Sequence, residues 1–357
     1  MSDNQKMSKL VDGLTSDPQT WSNSSLVSVS QLTPSGLELL IKTAFDMRSL
    51  VRTKGGDDSL KHRVLASIFF EASTRTSCSF QTAMMRLGGT VIHVDAGTGG
   101  NSSSKKGETV SDTIKCLQCY TDVAVLRHPV TGTVTDSVLN GGLVKPLINA
   151  GDGTGEHPTQ ALLDLFTIVD ELDLFGQPDA SKNEPLTVVL LGDLRHGRTV
   201  HSLAKLLARS QQGFLKRRLV LRYCSPTTLR MPDYIKVYID KIAKSAGCEI
   251  TQEEYIGESE KVVKNAIENA NVLYVTRVQK ERFKSTKDYE VVKGAYVIDA
   301  KLMQQAPEKL IVMHPLPRVD EINTDFDPDP RAAYFRQMEN GLFVRMAILS
   351  LVVAKGF

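Results

Sequence analysis

Hydroxyl and arginine side chains are concentrated in the segment 69–77, which reads FFEASTRTS. An apolar run that predicts a strand ends there, and a helical pattern begins. A helix N-terminus has unpaired N–H groups and the positive end of the helix dipole, so it favours an anion. Arg75 adds a forked cation suited to phosphate, and the neighbouring hydroxyl donors are Ser73, Thr74 and Thr76. The segment therefore predicts a phosphate-binding turn, with an ordinary Ser/Thr helix cap as the alternative.

Two more polar segments follow predicted strands in the first half of the chain. Arg127 comes directly after a strand predicted at 122–126, and the glycine-rich loop 150–160 leads into a helix that begins near His157 and Gln160. Ligands collect at the carboxyl ends of strands in parallel α/β sheets. The positive end of a helix dipole disfavours protonation of His157, and a neutral imidazole can donate a hydrogen bond to a carbonyl oxygen. The alternative is a capping loop with a structural histidine.

The second half of the chain carries similar signals. The sequence GDLRHGRT at 192–199 nearly matches the phosphate-binding loop of nucleotide hydrolases, but Arg198 replaces the lysine and no magnesium-binding carboxylate strand is evident. Because guanidinium and carboxylate groups pair in a bidentate fork, a carboxylate ligand fits Arg198 better. Arg277 also follows a predicted strand. The segment 313–318, MHPLPR, has two prolines that leave neighbouring carbonyl groups available to a ligand.

Two segments allow both a structural and a functional interpretation. The Gly/Ser-rich stretch 97–107 is either a solvated surface loop or a mobile lid that brings Lys105 or Lys106 onto an anionic ligand. Cys116 and Cys119 form a C-x-x-C pattern, but a structural zinc site needs four ligands and no second Cys/His pair lies nearby in the sequence. Two reduced thiols on a helix are therefore favoured, and no metal is predicted.

The composition is that of an ordinary globular protein. The chain has 357 residues, 41% of them hydrophobic and 24% charged, with a formal net charge of +2. The length suits two domains, and the near balance of charge argues against nucleic acid or a membrane as a partner. No apolar run is long enough to span a bilayer, and the polar N-terminus lacks the apolar core of a signal peptide. We therefore expect a cytoplasmic location.

Apolar strand-like runs alternate with helical patterns along both halves of the chain. This alternation predicts two α/β domains, each with a doubly wound parallel sheet. We expect a flexible leader at 1–25, a first domain at 26–175 and a second domain at 176–337. The strongly apolar stretch 341–353 predicts a buried helix. Strands are predicted at 64–70, 90–95, 122–126, 145–149, 186–191, 219–223, 272–276, 296–298 and 311–313, and helices at 106–120 and 158–172.

Together these segments resemble the aspartate and ornithine transcarbamoylase family, most closely the aspartate transcarbamoylase domain of eukaryotic multifunctional pyrimidine-synthesis proteins. The similarity runs from about residue 26 to the end of the chain and rests on the ordered motifs STRT, SxxKKGE, RHP, HPTQ, GRTVHS, RVQKER and HPLPR. The family transfers the carbamoyl group of carbamoyl phosphate to L-aspartate, which gives N-carbamoyl-L-aspartate and phosphate in pyrimidine synthesis. The resemblance implies a homotrimer with shared active sites, no metal or organic cofactor, and other pyrimidine-pathway domains as partners. It also implies that the C-terminal helix, 338–357, packs back on the first domain.

The resemblance further implies a role for each motif residue. The phosphate would be held by Ser73, Thr74, Arg75 and Thr76. The carbamoyl carbonyl would contact Thr76, Arg127 and His157, and the carbamoyl amide would contact Gln160 and the Leu316 carbonyl. The neighbouring subunit would supply Ser102 and Lys106. Aspartate would be bound by Lys106, Arg198, Arg277, Gln279 and Pro317. The predicted catalytic residues are Arg75, Thr76, Lys106, Arg127 and His157.

The motifs favour aspartate over ornithine as the acceptor. An ornithine site needs a carboxylate for the additional cation, whereas Arg198 and Arg277 offer two cations for two carboxylates. The ornithine branch typically has H-C-L-P where this chain has H-P-L-P at 314–317. A nucleotide-hydrolysing P-loop protein and a non-catalytic assembly module are the alternative functions. The chain departs from the bacterial pattern at Ala72, Ser77, Arg195 and His196.

Overall fold

The computed structural model describes residues 13–97, 107–175, 184–215, 217–279, 283, 285, 289 and 292–353. The chain forms two compact units. Unit 1 comprises Met1–Phe166 and Glu339–Phe357, and unit 2 comprises Thr167–Met338. Both boundaries between the units fall inside helices, namely Pro158–Glu171 and Tyr334–Val352.

Unit 1 is built on a four-stranded parallel sheet in the order β2-β1-β3-β4. The strands are β1 (Val64–Phe69), β2 (Thr90–Asp95), β3 (Val123–His128) and β4 (Leu147–Asp152). The helices are α1 (Pro18–Trp21), α2 (Pro34–Lys54), α3 (Thr74–Arg86), α4 (Val110–Gln118), α5 (Thr133–Asn140) and the first part of α6 (Pro158–Glu171). The central strands β1 and β3 are buried along nearly their whole length, as expected for parallel strands that are covered on both faces.

Unit 2 is built on a five-stranded parallel sheet in the order β7-β6-β5-β8-β9. The strands are β5 (Leu186–Gly192), β6 (Leu219–Ser225), β7 (Ile250–Ile256), β8 (Val272–Thr276) and β9 (Ile311–Met313). The helices that follow α6 are α7 (Arg198–Ser210), α8 (Asp233–Ala246), α9 (Glu260–Ile267), α10 (Ala300–Met303) and α11 (Tyr334–Val352). A core of buried aliphatic and aromatic side chains covers β5 and β8.

Each sheet reverses its winding direction once. In unit 1 the chain runs from β1 outward to β2 and then crosses to β3 on the other side of β1. In unit 2 it runs from β5 through β6 to β7 and then crosses to β8 on the other side of β5. The loops on the two sides of such a switch diverge, so the carboxyl ends of the strands leave a crevice where ligands bind. The predicted fold class, two doubly wound parallel-sheet domains, is confirmed.

Residues 13–25 are folded within unit 1, which corrects the prediction of a flexible leader over 1–25. The Trp21 side chain is fully buried, and its Nε1 donates to the Thr15 carbonyl at 2.8 Å. The Leu14 N–H donates to the Gln31 carbonyl at 2.7 Å. Two large apolar side chains in an otherwise polar stretch are thus enough to fix it against the unit 1 core. Residues 1–12 lie outside the described part of the chain.

The C-terminal helix α11 is shared between the units, and its larger part packs in unit 1. The Asn23 N–H donates to the Val352 carbonyl at 2.9 Å. The Arg345 guanidinium lies over the Phe80 ring, 5.1 Å from its centroid. The prediction that this helix packs back on the first domain is therefore confirmed.

Three element predictions need correction. The strand predicted at 296–298 is wrong, because there Ile298 forms only an isolated bridge to Ile322. The polar edge strand β7 went unpredicted, since its sequence ITQEEYI lacks a continuous apolar run. The helix predicted at 106–120 begins at Val110, where the Thr109 hydroxyl caps it by accepting from Asp112 N–H at 3.1 Å. Within the described residues, no helix has the length and apolar character needed to cross a membrane.

Candidate functional site

The turn between β1 and α3 has the geometry of an anion site. Ser73 is the N-cap residue of α3, yet its side chain makes no capping hydrogen bond, so the alternative of an ordinary side-chain cap does not describe this hydroxyl. The first N–H groups of α3 have no intrahelical acceptor by helix geometry. Thr76 is buried, and Arg75 is exposed at the same turn. Partial burial lowers the pKa of Arg75, but an arginine remains protonated in proteins.

The end of β3 places a buried arginine beside this turn. β1 and β3 pair in parallel, with Phe69 opposite Arg127. The Arg127 side chain is only 10% exposed. One guanidinium nitrogen donates to the Ala150 carbonyl at 3.2 Å, and the other lies 2.9 Å from a Glu71 carboxylate oxygen. A ligand oxygen that binds Arg127 must therefore compete with the Glu71 carboxylate.

The loop between β4 and α6 completes this edge of the unit 1 sheet. It is fastened to β3, because the Gly153 N–H donates to the His128 carbonyl at 2.9 Å. His157 and Gln160 are both buried where α6 begins. The structure therefore brings the β1–α3 turn, Arg127 and the His157–Gln160 turn to one edge, on adjacent strands. The predicted residues Ser102 and Lys106 lie outside the described part of the chain.

His128 is a structural residue at this edge. Its Nδ1 accepts from the Val130 N–H at 3.1 Å, and its ring packs 5.0 Å from the Phe70 ring centroid. Burial lowers the pKa of His128, and the nearby Asp152 charge opposes that shift only in part. This histidine is thus neutral at pH 7 and fastens the chain after β3.

In unit 2 the corresponding switch point carries two arginines. Arg198 is the first residue of α7, after the turn that follows β5, and Arg277 comes directly after β8. The buried Asp193 carboxylate holds the two loops, accepting from His196 N–H at 3.0 Å and from Gln279 N–H at 3.5 Å. A cavity of about 240 Å³ lies at this edge and includes Arg277 in its lining.

Close backbone approach requires the glycine that ends β5. Gly192 has φ +117°, and a Cβ there would lie 2.1 Å from the Thr276 carbonyl oxygen. β5 and β8 therefore stay in register up to the point where the two arginine-bearing loops diverge.

The turn after β9 is fixed by a histidine that the sequence analysis did not single out. The Leu316 N–H donates to His314 Nδ1 at 2.7 Å, and His314 Nε2 lies 2.7 Å from Glu321 Oε1. A backbone N–H can only donate, so Nδ1 carries the lone pair and Nε2 carries the proton. Leu316 has φ +54°, and the Leu316–Pro317 peptide bond is cis. The histidine therefore holds Leu316 in a conformation that residues other than glycine rarely adopt.

Glu321 is the partly buried partner of that histidine. Burial is the largest single effect and raises the pKa of the Glu321 carboxyl, but the hydrogen bonds from His314 and from backbone N–H groups together outweigh it, and the pKa is lowered. The carboxylate is therefore ionised at neutral pH and fixes the orientation of the imidazole ring. The HPLPR motif supplied the position of His314, but only the fold shows that Glu321 returns to contact it.

The described residues contain no group of three or more His, Cys, Asp or Glu side chains arranged to hold a metal ion. The described cysteines are all free, and Cys116 and Cys119 are exposed at the end of α4. The chemistry that these sites offer is anion binding by arginine, hydroxyl and backbone N–H groups.

The two halves of the chain match two consecutive domain families. Residues 24–170 match the carbamoyl-P binding domain of aspartate/ornithine carbamoyltransferases, and residues 184–352 match the Asp/Orn binding domain of the same enzymes. The chain belongs to the aspartate/ornithine carbamoyltransferase family. Each of the two matches contains one of the arginine-bearing sheet edges described above.

Relatives of this chain include large multifunctional proteins and a bacterial catalytic subunit of similar length. It is 47% identical over 331 residues to the multifunctional protein pyr1-3 of Dictyostelium discoideum, covering 93% of this chain but only 14% of that protein. It is 42% identical over 331 residues to the aspartate carbamoyltransferase catalytic subunit of Aliivibrio fischeri, covering 92% of this chain and 96% of that subunit. The chain therefore spans a small part of the multifunctional relatives and nearly all of the bacterial subunit.

Solved structures give the same assignment. The aspartate transcarbamoylase of Trypanosoma cruzi, in complex with carbamoyl phosphate and aspartate, is 38% identical and superposes with a TM-score of 0.82 over 96% of this chain and 100% of that one. The same enzyme in complex with carbamoyl aspartate and phosphate superposes with a TM-score of 0.81. The recognition of the aspartate transcarbamoylase branch from sequence motifs is confirmed.

Proposed function

We propose that this chain is an aspartate carbamoyltransferase, which transfers the carbamoyl group of carbamoyl phosphate to the amine of L-aspartate and releases phosphate. One observation carries the proposal: the α3 N-terminus, Arg127 and the His157–Gln160 turn share one edge of the unit 1 sheet. This edge offers donors for a phosphate and for a carbonyl oxygen side by side. The reaction belongs to pyrimidine synthesis, as the names of the multifunctional relatives and the ligands of the solved neighbours suggest.

The carbamoyl-phosphate site is assigned to residues 26–175 with the C-terminal helix 338–357. The phosphate binds at the α3 N-terminus, where Ser73, Thr74, Arg75 and Thr76 supply donors. The carbonyl oxygen receives hydrogen bonds from Thr76, Arg127 and His157. Negative charge grows on that oxygen when the amine attacks, so these donors bind the transition state better than the substrate.

The aspartate site is assigned to residues 176–337. Arg198 and Arg277 pair with the two carboxylates, and Gln279 and Pro317 contribute further contacts. Asp193 supports this assignment because it holds the loops after β5 and β8 together. The cavity beside Arg277 is large enough for a small dicarboxylate.

The reaction needs neither a protein nucleophile nor a cofactor. The aspartate amine forms a bond to the carbonyl carbon, and the bond from that carbon to the phosphate oxygen then breaks. The amine loses a proton, which the departing phosphate can accept. Holding both substrates in a reactive geometry supplies much of the acceleration, because it removes the entropy loss of bringing them together.

We also assign a homotrimer with shared active sites, in which Ser102 and Lys106 reach the neighbouring subunit, with Lys106 contacting both substrates. The edge strand β2 supports this, because an exposed strand edge readily pairs with another chain. Exposed apolar side chains on the same unit include Met85, Ile92 and Tyr120. A cytoplasmic location and linkage to other pyrimidine-pathway domains complete the proposal, the latter by likeness to the multifunctional relatives.

Three experiments test these assignments. Carbamoyl-aspartate formation should be lost in Arg75→Ala, and turnover at the wild-type rate would refute the phosphate role. A phosphonate that joins analogues of both substrates should bind far more tightly than either substrate.

Mixing Arg75→Ala chains with Lys106→Ala chains should restore part of the activity, because some sites in hybrid trimers contain both intact residues. No recovery in proven hybrids would count against shared sites.

A further inference from the structure

Three buried polar side chains, Gln160, Asp164 and Arg345, lie close together in the core of unit 1. Gln160 and Asp164 are one helical turn apart on α6, so they project from the same face of the helix. Arg345 lies on the part of α11 that packs in unit 1. Asp164 is 0% exposed and Arg345 is 4% exposed. An ionisable pair at such depth is costly in free energy, so its retention calls for a physical explanation.

The hydrogen bond between the first two residues fixes an orientation. Gln160 Nε2 lies 2.8 Å from Asp164 Oδ1. An ionised carboxylate can only accept hydrogen bonds, so Gln160 must turn its NH₂ group toward Asp164. The Gln160 carbonyl oxygen, Oε1, is then the end of the amide that remains for other partners. Turning the amide over would place two acceptors face to face.

Arg345 supplies a positive charge close to Asp164. The guanidinium donates to the Gly341 carbonyl at 3.3 Å and lies over the Phe80 ring. Burial lowers the pKa of Arg345 to about 10, and the Asp164 charge opposes that shift. The arginine is therefore still a cation at neutral pH, and its charge favours the ionised form of Asp164 inside the core.

We infer that Asp164 and Arg345 are positioning residues that fix the Gln160 amide so that the site selects a carbamoyl group over an acyl group. This inference rests on the proposed function, in which Gln160 contacts the carbamoyl amide. The carbamoyl NH₂ is a donor and therefore needs an acceptor. The fixed amide presents the Gln160 Oε1 as that acceptor, and an acyl group carries a methyl there and forms no such hydrogen bond.

Acetyl phosphate is the probe, because it has the same phosphate and carbonyl but a methyl in place of the NH₂. In Asp164→Asn, the new amide can donate or accept, so Gln160 is free to turn over. We expect affinity for carbamoyl phosphate to fall about tenfold, while affinity for acetyl phosphate changes less than about twofold. Calorimetric titration of the trimer with each phosphate alone measures both constants. An equal loss of affinity for both ligands, or no loss for either, would overturn the inference.

Two further variants separate positioning from general damage. Arg345→Met removes the cation at similar volume, so Asp164 takes up a proton and can then donate, and the same loss of selectivity should appear. Asp122→Asn is the matched control, because Asp122 pairs with Arg63 at 3.0 Å at the opposite, amino-terminal edge of the same sheet. It should lower stability without changing the ratio of the two affinities. A changed ratio in this control would contradict the inference.

The double variant Gln160→Met/Asp164→Asn tests whether Asp164 acts through Gln160. If Asp164 acts through Gln160, the Asp164 change should alter selectivity no further once Gln160 is gone. A second loss of selectivity, as large as that of Asp164→Asn alone, would contradict an effect through Gln160. Wild-type carbamoyl-aspartate formation tests the proposed function separately, so failure of the inference and failure of the function give different results.

Discussion

The turn after β9 offers a sharp prediction, because His314 makes two separable contacts. Its Nδ1 accepts from the Leu316 N–H and its Nε2 donates to Glu321, each at 2.7 Å. Leu316 holds φ +54°, which costs roughly 1–2 kcal/mol in a residue with a Cβ. A neutral hydrogen bond contributes about 1 kcal/mol, and one to a charged group about 1.5–3 kcal/mol. The bond to Leu316 is thus of the same size as the strain that it holds.

Removing that bond should therefore let the turn relax. In His314→Ala the strain of roughly 1–2 kcal/mol is no longer opposed. We therefore expect the competent conformation to become a minority, with kcat/KM for carbamoyl phosphate falling roughly 5- to 30-fold, since each 1.4 kcal/mol is a factor of ten. The free energy of unfolding should also fall by about 1–3 kcal/mol, because the partly buried Glu321 carboxylate loses the His314 donor while it keeps the Val319 and Asp320 N–H groups. Steady-state kinetics and urea unfolding measure the two effects.

Two conservative variants of His314 each keep one of its two contacts and remove the other. In His314→Asn, Oδ1 stands where Nδ1 stood and can accept from Leu316, but the side chain does not reach Glu321. In His314→Gln, the longer side chain can reach Glu321 but does not hold Leu316. We expect the His314→Asn variant to retain more activity than His314→Gln. The His314→Gln variant should retain more of the unfolding free energy than His314→Asn. The opposite order, or full activity in His314→Ala with intact circular dichroism, would refute this account of the turn.

Three further predictions concern single residues. Arg127→Ala should lower kcat about 100-fold or more by removing an oxyanion donor. The control Arg63→Ala should leave kcat near the wild-type value, because Arg63 pairs with Asp122 at the opposite edge of the sheet. Near-normal turnover in Arg127→Ala would contradict the proposed site. The folded-state pKa of Glu321 is lowered, so the ionised carboxylate stabilises the fold above its unfolded pKa of about 4.3, and this effect is lost as pH falls through the lower folded value. The difference in unfolding free energy between wild type and Glu321→Gln should therefore shrink from pH 7 to below pH 4. A difference that stays constant with pH would argue against this linkage. Trp21→Ala should cost about 3–5 kcal/mol of unfolding free energy, since the side chain is fully buried; a change below about 1 kcal/mol would mean that residues 13–25 do not anchor unit 1.

The architecture could be predicted from the sequence because its main signals are local. Continuous apolar runs such as 186–191 give buried parallel strands, and the polar segments that follow them fall at carboxyl ends. The same logic failed for β7, whose edge position tolerates a polar sequence, and for 296–298, where a short apolar run forms only a bridge. The leader was mispredicted because burial of Trp21 depends on a core that the local sequence does not reveal.

The candidate site was predictable as a set of anion-binding residues, but its internal partners were not. The contact of Glu71 with Arg127 depends on the pairing of β1 with β3, and the contact of His314 with Glu321 depends on a returning loop. One signal was available: Arg345 is a lone charge within the apolar stretch 341–353. A buried charge implies a buried partner, although only the fold identifies Asp164 as that partner.

The most direct test is a steady-state assay of the purified chain with carbamoyl phosphate and either L-aspartate or L-ornithine, in which both the carbamoylated product and phosphate are measured. We predict N-carbamoyl-L-aspartate and phosphate in equal amounts, with no citrulline above the uncatalysed rate. Comparable carbamoylation of ornithine, or phosphate release without a carbamoylated amino acid, would contradict the assignment of two arginines to a dicarboxylate.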